Sequence, residues 1–224
     1  QALRFAAATA VVVTHAVDLA GTRLGLETVL AGGTLENFGA VGVDVFFVIS
    51  GFIIATTTQG QTGVTAAGAF LWRRFRRVAP IYWLLSLPIL IGMARGGTLS
   101  PEVAAATFLF WPFSGLEMTF PALGPGWTLC FEMLFYAGFG LAIAGRAMAG
   151  GRRVGWGLVG AYAAMLAAGL VVAAPVLRFW GAPIILEFLL GVGIASSWRF
   201  APRRLVLMCA ALFVLIRRQV LAPL

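Results

Sequence analysis

The chain has 224 residues, 61% of them hydrophobic, and its mean hydropathy is +0.97. Soluble domains are about 45–50% apolar, so the composition excludes an ordinary soluble protein and indicates several membrane spans of about 20 residues each. The net charge is +8 and all 16 basic residues are arginines, which suits loops beside anionic lipid headgroups and gives no indication of nucleic acid as a partner.

Apolar segments predict the membrane-spanning helices in chain order. Six long segments lie at 3–20, 39–58, 78–94, 127–145, 154–174 and 179–198, and two shorter ones at 103–113 and 205–216. We therefore expect an all-α, polytopic integral-membrane helix bundle that forms one domain over residues 1–224. Because apolar sequence begins almost at Gln1 and continues close to Leu224, we expect a fragment of a longer domain, truncated at the C-terminus.

The distribution of arginines predicts the orientation in the membrane. If the N-terminus is cytoplasmic and segment 103–113 does not cross, most arginines face the cytoplasm, as the positive-inside rule requires. If that segment crosses, the arginines divide evenly between the two sides. The segment is also too short for a spanning helix, so we expect it to be re-entrant or interfacial and the N-terminus to be cytoplasmic.

The first predicted span contains the only histidine of the chain, His15. Arg4 precedes it by about 16 Å along a helix, which places the imidazole near mid-membrane. Asp18 follows at i+3 and shares a helix face with His15, so its carboxylate could orient the ring. An ionisable group is costly in hydrocarbon and indicates function, although an interhelical hydrogen bond that only joins helices is the alternative.

The stretch FLWRRFRRVAPIYW, 70–83, places four arginines between two predicted spans. Guanidinium groups bind phosphate oxygens in a bidentate manner, so the cluster predicts a phosphate-binding loop at the cytoplasmic surface. The alternative is an anchor that only sets topology. Pro80 is expected to begin the next helix, where proline is tolerated in the first turn.

Two further stretches place acidic residues in predicted spans. In GPGWTLCFEMLFY, 124–136, Trp127 suits the membrane interface and Glu132 lies about one and a half turns in from the outer side. Glu132 could act in acid/base chemistry, orient His15 or bind a hydroxyl group, or it could be a buried carboxylate paired with a cation. In GVDVFFVISGF, 42–52, Asp44 could cap the helix or join the polar cluster, whereas Ser50 and its neighbouring glycine favour close helix packing.

A metal site is not expected, because one histidine and scattered acids give no credible ligand set. Cys130 and Cys209 both lie in apolar segments, so we interpret them as small core residues.

Together these stretches resemble the membrane-bound acyltransferase 3 family, whose members O-acylate sugars, surface polysaccharides, peptidoglycan and small natural products. The resemblance lies in the family patterns R-x10-H, GVDxFFVISGF, RRxxRxxPxYW and GWTLxxExxFY, which match Arg4 to His15, 42–52, 73–83 and 126–136. LEFLLGV at 186–192 is a weaker match. The family has about ten spans, so the resemblance implies that this chain lacks the last helices.

The resemblance also implies a reaction and its residues. Acyl-CoA, usually acetyl-CoA, would be the co-substrate, with no bound cofactor, and Arg73, Arg74 and Arg77 would hold its phosphates. His15 would deprotonate the acceptor hydroxyl or carry the acyl group, and Glu132 would support it. The acceptor would be a sugar, polysaccharide, lipid-linked glycan or natural product at the bacterial inner membrane. The supporting polar cluster comprises Arg4, Asp18, Asp44, Ser50, Tyr82 and Trp127.

Two other functions are compatible with the polar residues. A proton-coupled transporter could use His15, Asp18 and Glu132 as a relay, but the inverted repeats typical of transporters are not evident in the sequence. A structural membrane subunit would use the polar residues only to join helices, and it leaves the arginine stretch and the ordered motifs unexplained.

Overall fold

The computed structural model describes residues 2–24, 34–114, 118–145, 156–172 and 174–197. Almost all of this sequence is helical, which confirms the predicted all-α class; two strands of two residues each form a small antiparallel hairpin. In chain order the elements are α1 (Ala2–Leu24), α2 (Thr34–Thr57), α3 (Val64–Arg95), α4 (Pro101–Leu109), β1 (Phe113–Ser114), β2 (Met118–Thr119), α5 (Gly126–Ala144), α6 (Trp156–Val171), α7 (Pro175–Trp180) and α8 (Ile184–Ser197).

Four stretches are long and apolar enough to cross a membrane: Gly39–Thr57, Val64–Arg95, Gly126–Ala144 and Pro175–Ser196. The last of these comprises α7 and most of α8, with a break in the helix at 181–183. Two shorter apolar helices, Ala2–Val17 and Gly157–Val171, coincide with the other two predicted spans. The predicted segment 103–113 overlaps the nine-residue helix α4, about 14 Å long, which suits a segment that does not cross. The predicted segment 205–216 lies outside the described residues.

The described helices divide into two compact units. The first contains α1, α2 and α8, and the second contains α3 to α7 with the β1–β2 hairpin. Whether residues 1–224 form a single functional domain stays a prediction.

Glycines set the helix contacts of the first unit. Along the antiparallel pair α1 and α2, a Cβ at Gly39 would lie 2.8 Å from the side chain of Thr14, and a Cβ at Gly42 would lie 2.6 Å from the carbonyl oxygen of Ala7. Between α2 and α8, a Cβ at Gly51 would collide with the backbone of Phe188, and one at Gly191 with the backbone of Val48. Small residues let helices in a membrane approach this closely.

In the second unit, α3 and α5 pack antiparallel. The backbone N–H of Gly63, just before α3, donates to the carbonyl of Ile143 near the end of α5 at 2.8 Å. Farther along α3, Tyr82 donates its hydroxyl proton to the carbonyl of Leu123, just before α5, at 3.4 Å. Between these ends α5 carries the fully buried side chains Phe131, Phe135, Phe139 and Ile143. The ring of Phe131 meets that of Trp180 on α7, and the ring of Phe135 meets that of Tyr162 on α6.

The long helix α3 corrects the prediction for residues 70–80. The four arginines do not form a loop between two spans, because α3 is continuous from Val64 to Arg95, about 48 Å long. Pro80 lies inside this helix and does not begin it. The sequence prediction began the span at residue 78, just after the charges, but arginine and alanine both favour helix, so the start of the apolar run was not the start of the helix.

Candidate functional site

The predicted site residues fall in both units. The first unit contains Arg4, His15, Asp18, Asp44 and Ser50, and the second contains Arg73, Arg74, Arg77, Tyr82, Trp127 and Glu132. Each unit is described by itself below.

His15 lies on α1 with its side chain exposed. Its neighbour Thr14 is buried against Gly39 of α2 and donates its hydroxyl proton to the carbonyl of Ala10 at 3.1 Å. Ala7 and Thr14, one heptad apart, therefore mark the packed face of α1, and the imidazole lies on a different face. The side chain of Asp18 lies outside the described residues, so its predicted role in orienting His15 stays a prediction.

The other polar candidates of the first unit lie within helix pairs. The Arg4 guanidinium lies over the ring of Phe46 on α2, 5.7 Å from the ring centroid, which is a cation–π contact. Asp44 is ten residues into α2, about 15 Å from its first residue, so its suggested role as a helix cap is wrong. Ser50 is buried beside Gly51, in keeping with the expected packing role.

The four neighbouring arginines of the second unit differ in exposure. Arg73, Arg76 and Arg77 are exposed, whereas Arg74 is half-buried. Spacings of three and four residues place the exposed three on one face of α3. Arg74 points toward the packed side, where its guanidinium lies 5.6 Å from the ring centroids of both Phe70 and Tyr136.

Glu132 is buried, with 6% of its surface exposed, and accepts a hydrogen bond from the Tyr136 hydroxyl. The two residues are one turn apart on α5, so the bond joins neighbours on the same helix face. The guanidinium of Arg74 lies over the ring of this tyrosine, 5.6 Å from the ring centroid. The Glu132–Tyr136 pair thus meets the arginine segment of α3.

This contact corrects the predicted separation of the two motifs. The sequence placed Glu132 near the outer surface and the arginines in a loop at the inner surface. In the structure Tyr136 contacts Arg74 about 15 Å along α5 from Gly126, near the middle of the helix. The prediction failed because it assigned the arginines to a loop outside the span, whereas α3 carries them alongside α5.

Tyr82 and Trp127 lie around the first turn of α5 and form no part of this contact. Tyr82 is buried and approaches Gly126 so closely that a Cβ there would collide with its hydroxyl. The Trp127 ring is 39% exposed and meets the ring of Phe131 edge to face, with centroids 6.4 Å apart. Tyr82 therefore fixes the turn before α5, and Trp127 borders the aromatic core.

Sequence reasoning missed Tyr136, Phe70 and Gly191. The spacing of four residues from Glu132 to Tyr136, and from Phe70 to Arg74, was a usable signal because such residues meet on a helix. No comparable signal linked Gly191 to Gly51, since the two glycines are far apart in the chain. Within the described ranges, no group of three or more His, Cys, Asp or Glu residues could hold a metal ion.

Comparison with known proteins decides the family. A family model described as an acyltransferase domain, that of the acyltransferase 3 family, matches residues 1–216. The chain belongs to this family. The resemblance predicted from the four sequence motifs is therefore confirmed.

A curated relative belongs to a bacterium. The chain is 38% identical over 174 residues to the exopolysaccharide production protein ExoZ of Rhizobium meliloti (strain 1021). The matched region covers 72% of this chain and 52% of ExoZ, so the chain spans about half the length of that relative. No solved structure matches the chain.

Proposed function

We propose that this protein is an integral-membrane O-acyltransferase that moves an acyl group, here an acetyl group, from acyl-CoA to a hydroxyl of a carbohydrate. Membership of the acyltransferase family over residues 1–216 carries the proposal. The similarity to a protein named for exopolysaccharide production favours a polysaccharide or its lipid-linked precursor as the acceptor. In this proposal the enzyme lies in the bacterial inner membrane, its N-terminus is cytoplasmic, and acyl-CoA enters from the cytoplasm.

In the proposed reaction, His15 accepts the proton of the acceptor hydroxyl while the hydroxyl oxygen bonds to the thioester carbonyl carbon. The carbon–sulfur bond then breaks, CoA leaves as a thiolate and takes up a proton, and the acyl group remains as an ester. In the other form of the mechanism, the imidazole carries the acyl group briefly before the hydroxyl takes it. The exposed position of His15 on α1 supports either form, because substrate needs access to the ring.

The donor needs little activation, since a thioester is already reactive, and the protein mainly supplies positioning and proton transfer. The arginine segment 73–77 is proposed to bind the phosphates of CoA, as three of its guanidinium groups are exposed on one helix face. Glu132 supports the site through its hydrogen bond with Tyr136.

The experiment is a transfer assay with the full-length protein in lipid nanodiscs, isotope-labelled acetyl-CoA and oligosaccharides of a bacterial exopolysaccharide. We expect an alkali-labile acetyl ester on the sugar and one free CoA thiol for each ester formed. Absence of both products with every acceptor, soluble and lipid-linked, would refute the proposal. Proton or solute flux into proteoliposomes without acyl-CoA would support the transporter.

A further inference from the structure

The four arginines of α3 have different surroundings. Arg73, Arg76 and Arg77 share a face through spacings of three and four residues, and all three are exposed. Arg74 is one residue after Arg73, so its side chain is turned about 100° around the helix axis. The family pattern RRxxR cannot distinguish these two helix faces, because it gives the order of the residues in the chain and not the orientation of each side chain around the helix axis.

The surroundings of Arg74 are aromatic. Its guanidinium lies over the rings of Phe70 and Tyr136, 5.6 Å from each centroid. Phe70 is one turn earlier on α3, and Tyr136 belongs to α5, so two helices hold the guanidinium in place. A guanidinium placed over ring faces is attracted by the ring quadrupoles, and fewer of its N–H groups remain available to a phosphate.

The nearby buried group is Glu132. A carboxylate taken out of water needs hydrogen bonds and a compensating charge. Tyr136 supplies a hydrogen bond from its hydroxyl, and Arg74 lies on the ring of the same tyrosine. Arg77, three residues after Arg74, is exposed.

We propose that Arg74 is a positioning residue that holds the Tyr136–Glu132 pair in place, and that Arg73 and Arg76, with Arg77 beside them, form the face that binds the phosphates of acyl-CoA. This division rests on the proposed acyltransferase function and deepens it. It adds Arg76 to the phosphate face and removes Arg74 from it.

Substitutions of these arginines separate the two roles in the full-length protein. Changing Arg73 and Arg76 together to Gln is expected to weaken CoA binding about tenfold or more, with kcat at saturating acetyl-CoA changed by less than about threefold. Arg74→Met keeps an unbranched side chain, although a shorter one, and removes the charge. It is expected to leave the Kd for CoA within about twofold and to lower kcat about tenfold or more. Arg74→Lys, which restores the charge, should recover most of the lost kcat.

A double-mutant cycle tests the coupling that the proposal requires. If Arg74 acts through Glu132, then Arg74→Met has little further effect on kcat in a Glu132→Gln background, whereas Arg73→Gln has the same effect on CoA affinity in both backgrounds. The same cycle read by thermal unfolding needs no catalysis. It is expected to show non-additive effects for Arg74 with Glu132 and additive effects for Arg73 with Glu132.

The outcomes separate this inference from the proposed function. If the parent protein transfers acetyl groups and Arg74→Met weakens CoA binding as much as Arg73→Gln does, with kcat unchanged, Arg74 is a phosphate ligand and the inference is overturned. Additive effects of Arg74→Met and Glu132→Gln on both kcat and unfolding also overturn it. If the parent neither binds CoA nor transfers acetyl groups while the unfolding cycle stays non-additive, the proposed function fails but the positioning contact stands.

Discussion

The two helical units pack their helices by different means. In the first unit, helices α1, α2 and α8 meet backbone against backbone at glycines such as Gly42, Gly51 and Gly191, and His15 lies on an exposed face. In the second, α3 and α5 meet through the side chains of Arg74, Tyr136 and their neighbours. The family pattern GVDxFFVISGF therefore mainly specifies close helix packing. The patterns RRxxRxxPxYW and GWTLxxExxFY together specify a network of side chains.

The largest loss of stability is expected at the contact between α2 and α8 in the first unit, where there is no space for an added Cβ. Gly51→Ala would place a Cβ against the backbone of Phe188, and a backbone cannot turn aside as a side chain can. We expect a loss of at least about 3 kcal/mol in the free energy of unfolding, measured by denaturant titration in detergent micelles. Gly193→Ala on α8 is the matched control, because a Cβ there meets nothing within 4 Å. Equal stability of the two variants would show that the close α2–α8 contact does not exist.

The second effect concerns the side-chain network of the other unit. Tyr136→Phe removes the hydroxyl that donates to buried Glu132, and it should cost about 1.5–3 kcal/mol of unfolding free energy, as hydrogen bonds to charged groups do. Tyr162→Phe is the control, since that hydroxyl is also buried and its hydrogen bonds to the carbonyls of Leu134 and Phe135 are long, 3.3 and 3.5 Å. If Tyr162→Phe lost as much stability, the hydrogen bond between Tyr136 and Glu132 would contribute no more to the free energy of unfolding than an ordinary buried hydroxyl does.

A third change, Gly126→Ala, tests whether the start of α5 depends on close packing at a glycine, as the helix contacts of the first unit do. Gly126→Ala would bring a Cβ against the Tyr82 hydroxyl and within 2.6 Å of Pro121. We expect a loss of about 1–3 kcal/mol, partly recovered when Tyr82→Phe is added, because that change removes the nearest atom. Gly124→Ala, where a Cβ meets nothing within 4 Å, is the control. If the double variant recovered no stability, the clash of the added Cβ would be with Pro121 and not with the Tyr82 hydroxyl.

The smallest effect is a pH dependence in α4. Hydrogen bonds from its own backbone N–H and from Ser100 hold the pKa of Glu102 below its usual value. A lowered pKa contributes stability above about pH 4.3 that is lost as the pH falls. Unfolding of Glu102→Gln should therefore depend slightly less on pH than unfolding of the parent on the acid side. If the stabilities of the parent and of Glu102→Gln fell equally as the pH is lowered, the hydrogen bonds to the Glu102 carboxylate would contribute nothing to stability.

Much of the fold was predictable from apolar runs, since most of the predicted spans coincide with helices. The extent of α3 was not, because hydropathy reports where a chain is apolar and not where a helix ends. The contact between Arg74 and Tyr136 could not be predicted for the same reason. Once the arginines were assigned to a loop, their helical direction could not be used.

Among the candidate site residues, sequence patterns identified types and order but not surroundings. The packing role of Ser50 and Gly51 followed from side-chain size and agrees with the structure. The capping suggested for Asp44 failed because α2 begins ten residues earlier, at Thr34. The catalytic role of His15 and the phosphate-binding role of the arginine segment stay predictions.

The most direct test of the account is the single-turnover rate of acetyl transfer by the full-length protein with His15→Ala. Val12→Ala is the matched control, because Val12 lies one turn earlier on α1 and is also exposed. We predict that transfer by His15→Ala falls by about a thousandfold or more, while Val12→Ala retains the parent rate and both variants bind CoA normally. Transfer by His15→Ala at the parent rate would contradict the central claim.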